Sequence, residues 1–289
     1  DYVYPMFRCN TLYEGEYLLG TAIARPLIAK QLVRIAESEN TNIISHGATG
    51  KGNDQIRFEI GAHALNSDIQ VIAPWREWKM SSRTDLMNYC KEHQIPMPAS
   101  KAEEPPFSMD ENLLHISYEG GVLEDLSTPP PEDMWLKVKS IEDAKDEAEE
   151  IKITFENGDP IAVDDESLSA AEILKKLNLI GGNHGIGRID IVESRATGMK
   201  SRGCYETPGG TILLKARRAM ESLCLSRDEI VKKDSLMPSY AKLIYDGLWW
   251  SNDRVSLQKQ IDNFATKVSG SVVIKLLKGN VISLGKESK

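Results

Sequence analysis

The chain has 289 residues, 41% apolar and 27% charged, which is the balance of a soluble globular protein with one large domain or two ordinary ones. Its formal net charge of −8 argues against nucleic-acid binding through the surface as a whole, but not against an anionic small ligand held by local donors. No apolar run reaches the roughly 18 residues of a membrane span, and the opening D-Y-V-Y-P-M-F-R-C-N lacks the layout of a secretory signal.

Leu18, Leu19, Ala22, Leu27, Ile28, Leu32, Val33 and Ile35 recur near the helical period and predict a helix over 17–40, with Pro26 as a break or kink. Residues 42–45 predict a strand that runs into a glycine-rich loop at 46–52. A helix over 53–65, a strand over 69–73 ended by Pro74, and a helix over 82–93 capped by Ser82 follow. This is the grammar of an α/β domain with a parallel sheet. Pro96, Pro98, Pro105 and Pro106 mark a boundary. Beyond it, 150–163 predicts a hairpin around Asn157-Gly158, 167–177 a helix, and 189–192 a strand after a glycine loop. Helices are expected over 209–225, 238–249 and 255–268, then a terminal hairpin around Lys278-Gly279-Asn280. Strands and helices no longer alternate strictly, so this part reads α+β. The acidic run over 141–150 reads as a solvated loop or short helix. Cys9, Cys90, Cys204 and Cys224 form no C-x-x-C pair and are expected as reduced thiols in a cytoplasmic protein.

Three segments could carry chemistry. In S-H-G-A-T-G-K-G-N-D, Ser45 to Asp54, glycines after a strand let the backbone present N–H groups, and the following helix start favours an anion. The loop is neither a Walker A nor a G-x-G-x-x-G motif. It is equally a glycine turn with Asn53 or Asp54 as a helix cap. Arg57 shares a helical face with Asn53 and Asp54, and its only near acidic neighbours in sequence are Asp54 and Glu59. A cation, an amide and a carboxylate together suit a zwitterionic amino acid. Over 182–211, Glu193 ends a strand, and Tyr205 is expected on a glycine-bounded loop beside Lys200 and Arg202; a surface loop with solvated charges fits as well. His46 and His184 have no partners at metal-ligand spacing. S-M-D-E-N-L-L-H-I-S-Y-E places Ser108, Ser117 and Glu119 just past the boundary, where capping and core roles also account for them.

Y-L-L-G-T-A-I-A-R-P at Tyr17, S-H-G-A-T-G-K-G-N-D-Q-I-R-F-E at Ser45, V-I-A-P-W-R at Val71, S-M-D-E-N-L-L-H-I-S-Y-E at Ser108, G-R-I-D-I-V-E at Gly187 and G-M-K-S-R-G-C-Y-E-T-P-G-G-T at Gly198 occur in this order. Together they resemble the argininosuccinate synthetase family across nearly the whole chain. The resemblance implies a truncated parallel-sheet nucleotide-binding domain of the adenine-nucleotide hydrolase-like type over 1–96. It also implies an α+β synthetase domain over 97–289 for amino-acid binding and multimerisation. It implies ligation of L-citrulline to L-aspartate in arginine biosynthesis, with Mg2+-ATP as co-substrate, no organic prosthetic group, no resident metal and no nucleic-acid or membrane partner. A cytoplasmic homotetramer is expected.

By the same resemblance, Ser45, His46, Gly47, Ala48, Thr49, Gly50, Lys51, Gly52 and Asn53 match the ATP site. Tyr17, Asn53, Arg57, Ser108, Ser117, Glu193 and Tyr205 match citrulline-binding positions, and Thr49, Asn53 and Asp54 aspartate-binding ones. No side chain is expected as a nucleophile; catalysis would rest on positioning and charge stabilisation. Two departures stand out. Ala22 occupies a position where many members carry Ser or Thr, so Thr21 or a backbone group is expected to serve instead. The S-G-G-L-D-T-S pyrophosphate loop and the C-terminal arm are not present in these 289 residues, so the chain by itself is expected to be inactive. The alternatives are a catalytically silent amino-acid or nucleotide-binding or assembly protein, and a related amidotransferase-like ligase. The latter would need a glutamine-hydrolysing partner or a nucleophilic cysteine, and no cysteine has that context.

Overall fold

The computed structural model describes residues 1–49, 52–80, 83–96 and 107–288. The Ser82 cap, Gly50, Lys51 and the prolines at 98, 105 and 106 lie outside them.

A short helix α1 (Val3–Phe7) leads to α2 (Gly20–Ser38). Strand β1 (Ile43–Ser45), helix α3 (Asn53–Leu65) and strand β2 (Gln70–Ile72) form a β-α-β unit whose strands pair in parallel, Ile44 opposite Val71. Helix α4 (Arg83–Glu92) follows. A small core of Val33, Ala36, Ile44, Ala62 and Ile69 closes α2 and α3 onto this sheet. Pro26 is buried inside α2 and does not end it. The missing N–H costs one bond, but Ile23 on one side of it and Val33 on the other are anchored in separate cores. Leu27, Ile28 and Ile35, expected on the buried face, are exposed. The apolar stripe is wider than the surface that α3 covers.

The remainder is built on two antiparallel sheets. One has the order β3 (Ser108–Glu111), β4 (Ile116–Glu119), β9 (Lys200–Glu206), β8 (Arg188–Ser194). The other has the order β11 (Asn280–Ser288), β10 (Gly270–Leu277), β5 (Glu149–Glu156), β6 (Asp159–Val163), β7 (Glu166–Ser167). Both expected hairpins form, β5–β6 turning at Asn157 with φ +49° and β10–β11 at Lys278 with φ +40°. Helices α5 (Ala170–Asn183) and α6 (Pro208–Cys224) pack on the second sheet. Ile212, Leu213 and Met220 of α6 are buried at 1% exposure or less, each worth roughly 1.5–3 kcal/mol of transfer free energy. The large core also takes Met6, Phe7, Leu18, Leu19, Ala22 and Ile23 from the start of the chain.

Three expectations change. The helix placed at 167–177 begins at Ala170 behind a Ser169–Glu172 capping box, because Ser167 ends a strand. Pro238 does not open a helix; it lies inside α7 (Arg227–Tyr245), which starts eleven residues earlier behind a Ser226–Glu229 capping box. Tyr205 sits on strand β9, not on a loop, because Gly203, Cys204 and Tyr205 pair with both β4 and β8. Helix α8 (Asn252–Ala265) completes the fold.

Candidate functional site

A cavity of about 350 Å3 opens where the end of β1, the start of α3, the β3–β4 hairpin and the β8–β9 pair converge. Tyr17, Asn53, Arg57, Ser108, Ser117, Glu193 and Tyr205 all line it, and so do Gly47, Ala48, Thr49, Gly52 and Asp54. Ser45 and His46 stand behind this wall. The Ser45 hydroxyl donates to the Ile72 carbonyl at 3.0 Å, and His46 Nδ1 accepts the Ala48 N–H at 3.3 Å, shaping the loop.

The start of α3 decides between cap and site. Gly52 is the N-cap, in extended conformation, and no side chain caps the helix. Asn53 and Asp54 are therefore not caps, and the first residues of a thirteen-residue helix, whose N–H groups lack intrahelical acceptors, line an open chamber. Asn53 spends its amide on bridging: Oδ1 accepts the Ala196 N–H at 3.3 Å, and Nδ2 donates to the Tyr245 hydroxyl at 3.0 Å.

Arg57 is 4% exposed and less free than its sequence neighbours suggest. Its Nε donates to the Tyr245 carbonyl at 2.8 Å and its Nη1 to Asp54 at 3.1 Å, while Glu59 is taken by Arg76. Among the described residues Nη2 has no protein partner. Gly247, at φ +83°, permits the approach, since a Cβ there would stand 2.9 Å from Arg57 Cα.

Arg25 enters from α2, and its Nη2 lies 2.7 Å from both Asp54 Oδ2 and Asp110 Oδ2. Burial works to raise the Asp54 carboxyl, but Arg25 and Arg57 outweigh it and hold it below the ordinary carboxylate value. Glu193, on the opposite wall, goes the other way. Burial pushes it up, and hydrogen bonds from the Tyr205 and Tyr245 hydroxyls, both at 2.8 Å, only partly counter that. The Tyr205 ring stacks on Tyr17 with centroids 4.4 Å apart. Gly203 is required beneath it, because a Cβ there would meet the Tyr205 hydroxyl at 2.4 Å. The Thr21 hydroxyl faces the cavity 3.0 Å from His115 Nε2, whereas Ala22 is fully buried in the core.

Thr21 and Glu119, named from the sequence, line the cavity, and so do Arg25 and Arg195, which no motif reading names. Thr21 and Arg25 lie four apart on α2, the spacing that puts side chains on one helical face and gives the local signal for Arg25. Tyr245 has no such signal, since it reaches the site from 52 positions beyond Glu193. Among the described residues no group of three or more His, Cys, Asp or Glu could hold a metal, and no helix is long and apolar enough to cross a membrane.

Residues 1–96 match the family model described as Arginosuccinate synthase N-terminal HUP domain, and residues 107–289 match Arginosuccinate synthase C-terminal domain. The chain belongs to the argininosuccinate synthase family. The argininosuccinate synthase of Helicobacter hepaticus is 61% identical over 289 residues, covering all of this chain and 71% of the relative. Those of Ectopseudomonas mendocina and Nitratiruptor sp. are each 59% identical over 288 residues, with the same coverage. Argininosuccinate synthases are carbon–nitrogen ligases, and the chain is an enzyme of that class.

Proposed function

We propose that the protein ligates L-citrulline to L-aspartate, driven by Mg2+-ATP, to make argininosuccinate for arginine biosynthesis. The observation that carries the reading is one chamber holding a buried carboxylate, Glu193, anchored by two tyrosine hydroxyls, and a buried guanidinium, Arg57, anchored by the Tyr245 carbonyl and Asp54. That pair suits the ammonium and carboxylate of a zwitterionic substrate. The relatives' name supplies which zwitterions.

In this reading Arg57 Nη2 takes the citrulline carboxylate, Glu193 its ammonium, and Tyr17, Ser108, Ser117 and Tyr205 the walls around it. Thr49 and the first N–H groups of α3 take an aspartate carboxylate, with Asp54 at its ammonium. Gly47, Ala48, Thr49, Gly52 and Asn53 face the nucleotide, with Ser45 and His46 supporting them from behind. The ureido oxygen of citrulline attacks the α-phosphorus of ATP, the bond to the β-phosphate oxygen breaks, and pyrophosphate leaves with the electron pair. The aspartate ammonium gives up a proton to solvent, the amine so formed attacks the ureido carbon, and it sheds a second proton as AMP leaves with the electron pair of the broken C–O bond. No protein nucleophile is needed. Holding the reactants in line supplies roughly 7–11 kcal/mol of the barrier. The division into a nucleotide-binding part over 1–96 and a synthetase part over 97–289, and a cytoplasmic homotetramer, belong to the same reading.

The test is citrulline-dependent, aspartate-independent exchange of pyrophosphate into ATP by the complete gene product, with argininosuccinate formed only when aspartate is added. Binding of the amino acids with no exchange would favour the silent binding protein instead.

A further inference from the structure

We infer that Tyr245 is a positioning residue of the citrulline subsite, holding Glu193 of β8 and Asn53 and Arg57 of α3 in one constellation. The inference rests on the proposed role of Glu193 toward the substrate ammonium.

Tyr245 is the last residue of α7 and is fully buried. Its hydroxyl donates to Glu193 Oε1 at 2.8 Å and accepts from Asn53 Nδ2 at 3.0 Å. Its carbonyl accepts from Arg57 Nε at 2.8 Å, and its ring lies 4.9 Å from the Arg57 guanidinium carbon. The ring itself is held by a parallel stack on Tyr13, centroids 3.8 Å apart. The direction of each bond is fixed. A phenol has one proton, and Glu193 receives it, so Asn53 must present its amide nitrogen, which turns Oδ1 toward the Ala196 N–H. The result is a relay of donors, Ala196 to Asn53 to Tyr245 to Glu193, and each bond polarises the next.

Glu193 thereby has one phenol on each oxygen, Tyr205 on Oε2 and Tyr245 on Oε1. Arg57 of α3 adds a favourable charge, Glu119 of β4 an unfavourable one that Arg195 pairs at 2.7 Å, and Tyr13 and Tyr17 approach from the segment before α2. Against burial, the phenols keep the carboxylate available as an anion. Losing one lets the Glu193 carboxyl rise further, so its ionisation, and with it citrulline binding, fails at a higher pH.

The experiment is the citrulline KM in pyrophosphate–ATP exchange across about pH 5.5–9, for Tyr245→Phe, Glu193→Gln and the double variant of the complete gene product. Tyr245→Phe is expected to raise the citrulline KM about tenfold, well beyond any change in the ATP KM, and to move the acid limb upward in pH. In the Glu193→Gln background that effect should vanish. An equal rise in both backgrounds, or none in either, overturns the inference. Difluorotyrosine at position 245, which keeps the shape and strengthens the donor, must move the acid limb downward, and serves if the phenylalanine variant does not fold. A silent Glu193→Gln would remove the proposed role of Glu193 itself, whereas a strong Glu193→Gln beside a silent Tyr245→Phe sinks Tyr245 alone.

Discussion

Arg25 Nη2 and Asp54 Oδ2 lie 2.7 Å apart, so α2 and the first turn of α3 meet in a partly buried ion pair at the cavity wall. Asp54→Asn therefore removes more than a ligand. If Asp54 receives the aspartate ammonium, overall ligation should fall by more than about tenfold, while aspartate-independent exchange stays within a few-fold. Equal loss of both activities would assign Asp54 to the shared site or the fold. The Asp54 carboxyl is held below its ordinary value, so its stabilisation is present above about pH 4 and disappears as pH falls through the folded value. Urea unfolding should show a deficit for Asp54→Asn at pH 7 that closes in strong acid.

Thr21 offers a hydroxyl to the chamber where Ala22 offers nothing. Thr21→Val, nearly the same shape, should raise the citrulline KM by about three- to tenfold, and Thr21→Ser should restore it. Equal KM values for valine and wild type would leave Thr21 as wall alone.

His115 is fully buried, and burial, helped by the positive charges of Arg25 and Lys137, pushes its pKa down to about 3. Between there and the unfolded value near 6.5, the unfolded chain binds a proton that the native one refuses. Stability should thus fall with acidification through that window, by up to about 1.4 kcal/mol per pH unit from this group. His115→Gln should flatten the fall in urea midpoint between about pH 6.5 and 4.5 relative to wild type. Parallel curves would refute the assignment.

Glu221 is fully buried, 3.2 Å from both Arg217 Nε and Lys233 Nζ, and accepts from Asn10 at 2.6 Å. Glu221→Gln removes the buried anion shared by two buried cations, leaving Lys233 with Asp234 at 3.0 Å and Arg217 with backbone carbonyls, and should cost about 3–5 kcal/mol in chemical denaturation. Adding Lys233→Met should recover part of that loss, because the buried ammonium is gone. Lack of recovery would place the cost on Arg217.

Much of the fold is legible because its signals are local. Asn157-Gly158 announces its hairpin, and the alternation of Ile151, Ile153 and Phe155 tells which face of β5 is buried. The start of α7 is hidden because R-D-E-I-V-K-K-D carries no clear apolar stripe; only Ser226 and Glu229 mark it, and Lys233 is buried for the sake of Glu221. Strand β9 reads as a loop because K-S-R-G is polar, yet Arg202 is drawn flat by Asp190 of β8 at 2.7 Å. At the candidate site, contiguous motifs expose Asn53, Glu193 and Tyr205. What holds Asn53 and Glu193 together, Tyr245, is set by tertiary approach, which no spacing encodes.

Helix α2 spans the two cores. Its first turn is seated among Leu19, Ala22 and Ile23 in the large core, and its last turns, through Val33 and Ala36, carry the small core that ends in the loop after β1. Nineteen residues at about 1.5 Å each make an arm of roughly 28 Å. A tilt of about two degrees at the seat swings the far end by about 1 Å, a displacement that can cost in-line chemistry on the order of a hundredfold. A substitution at Ile23, which does not line the cavity, would thus be read out as misaligned reactants with every cavity side chain intact.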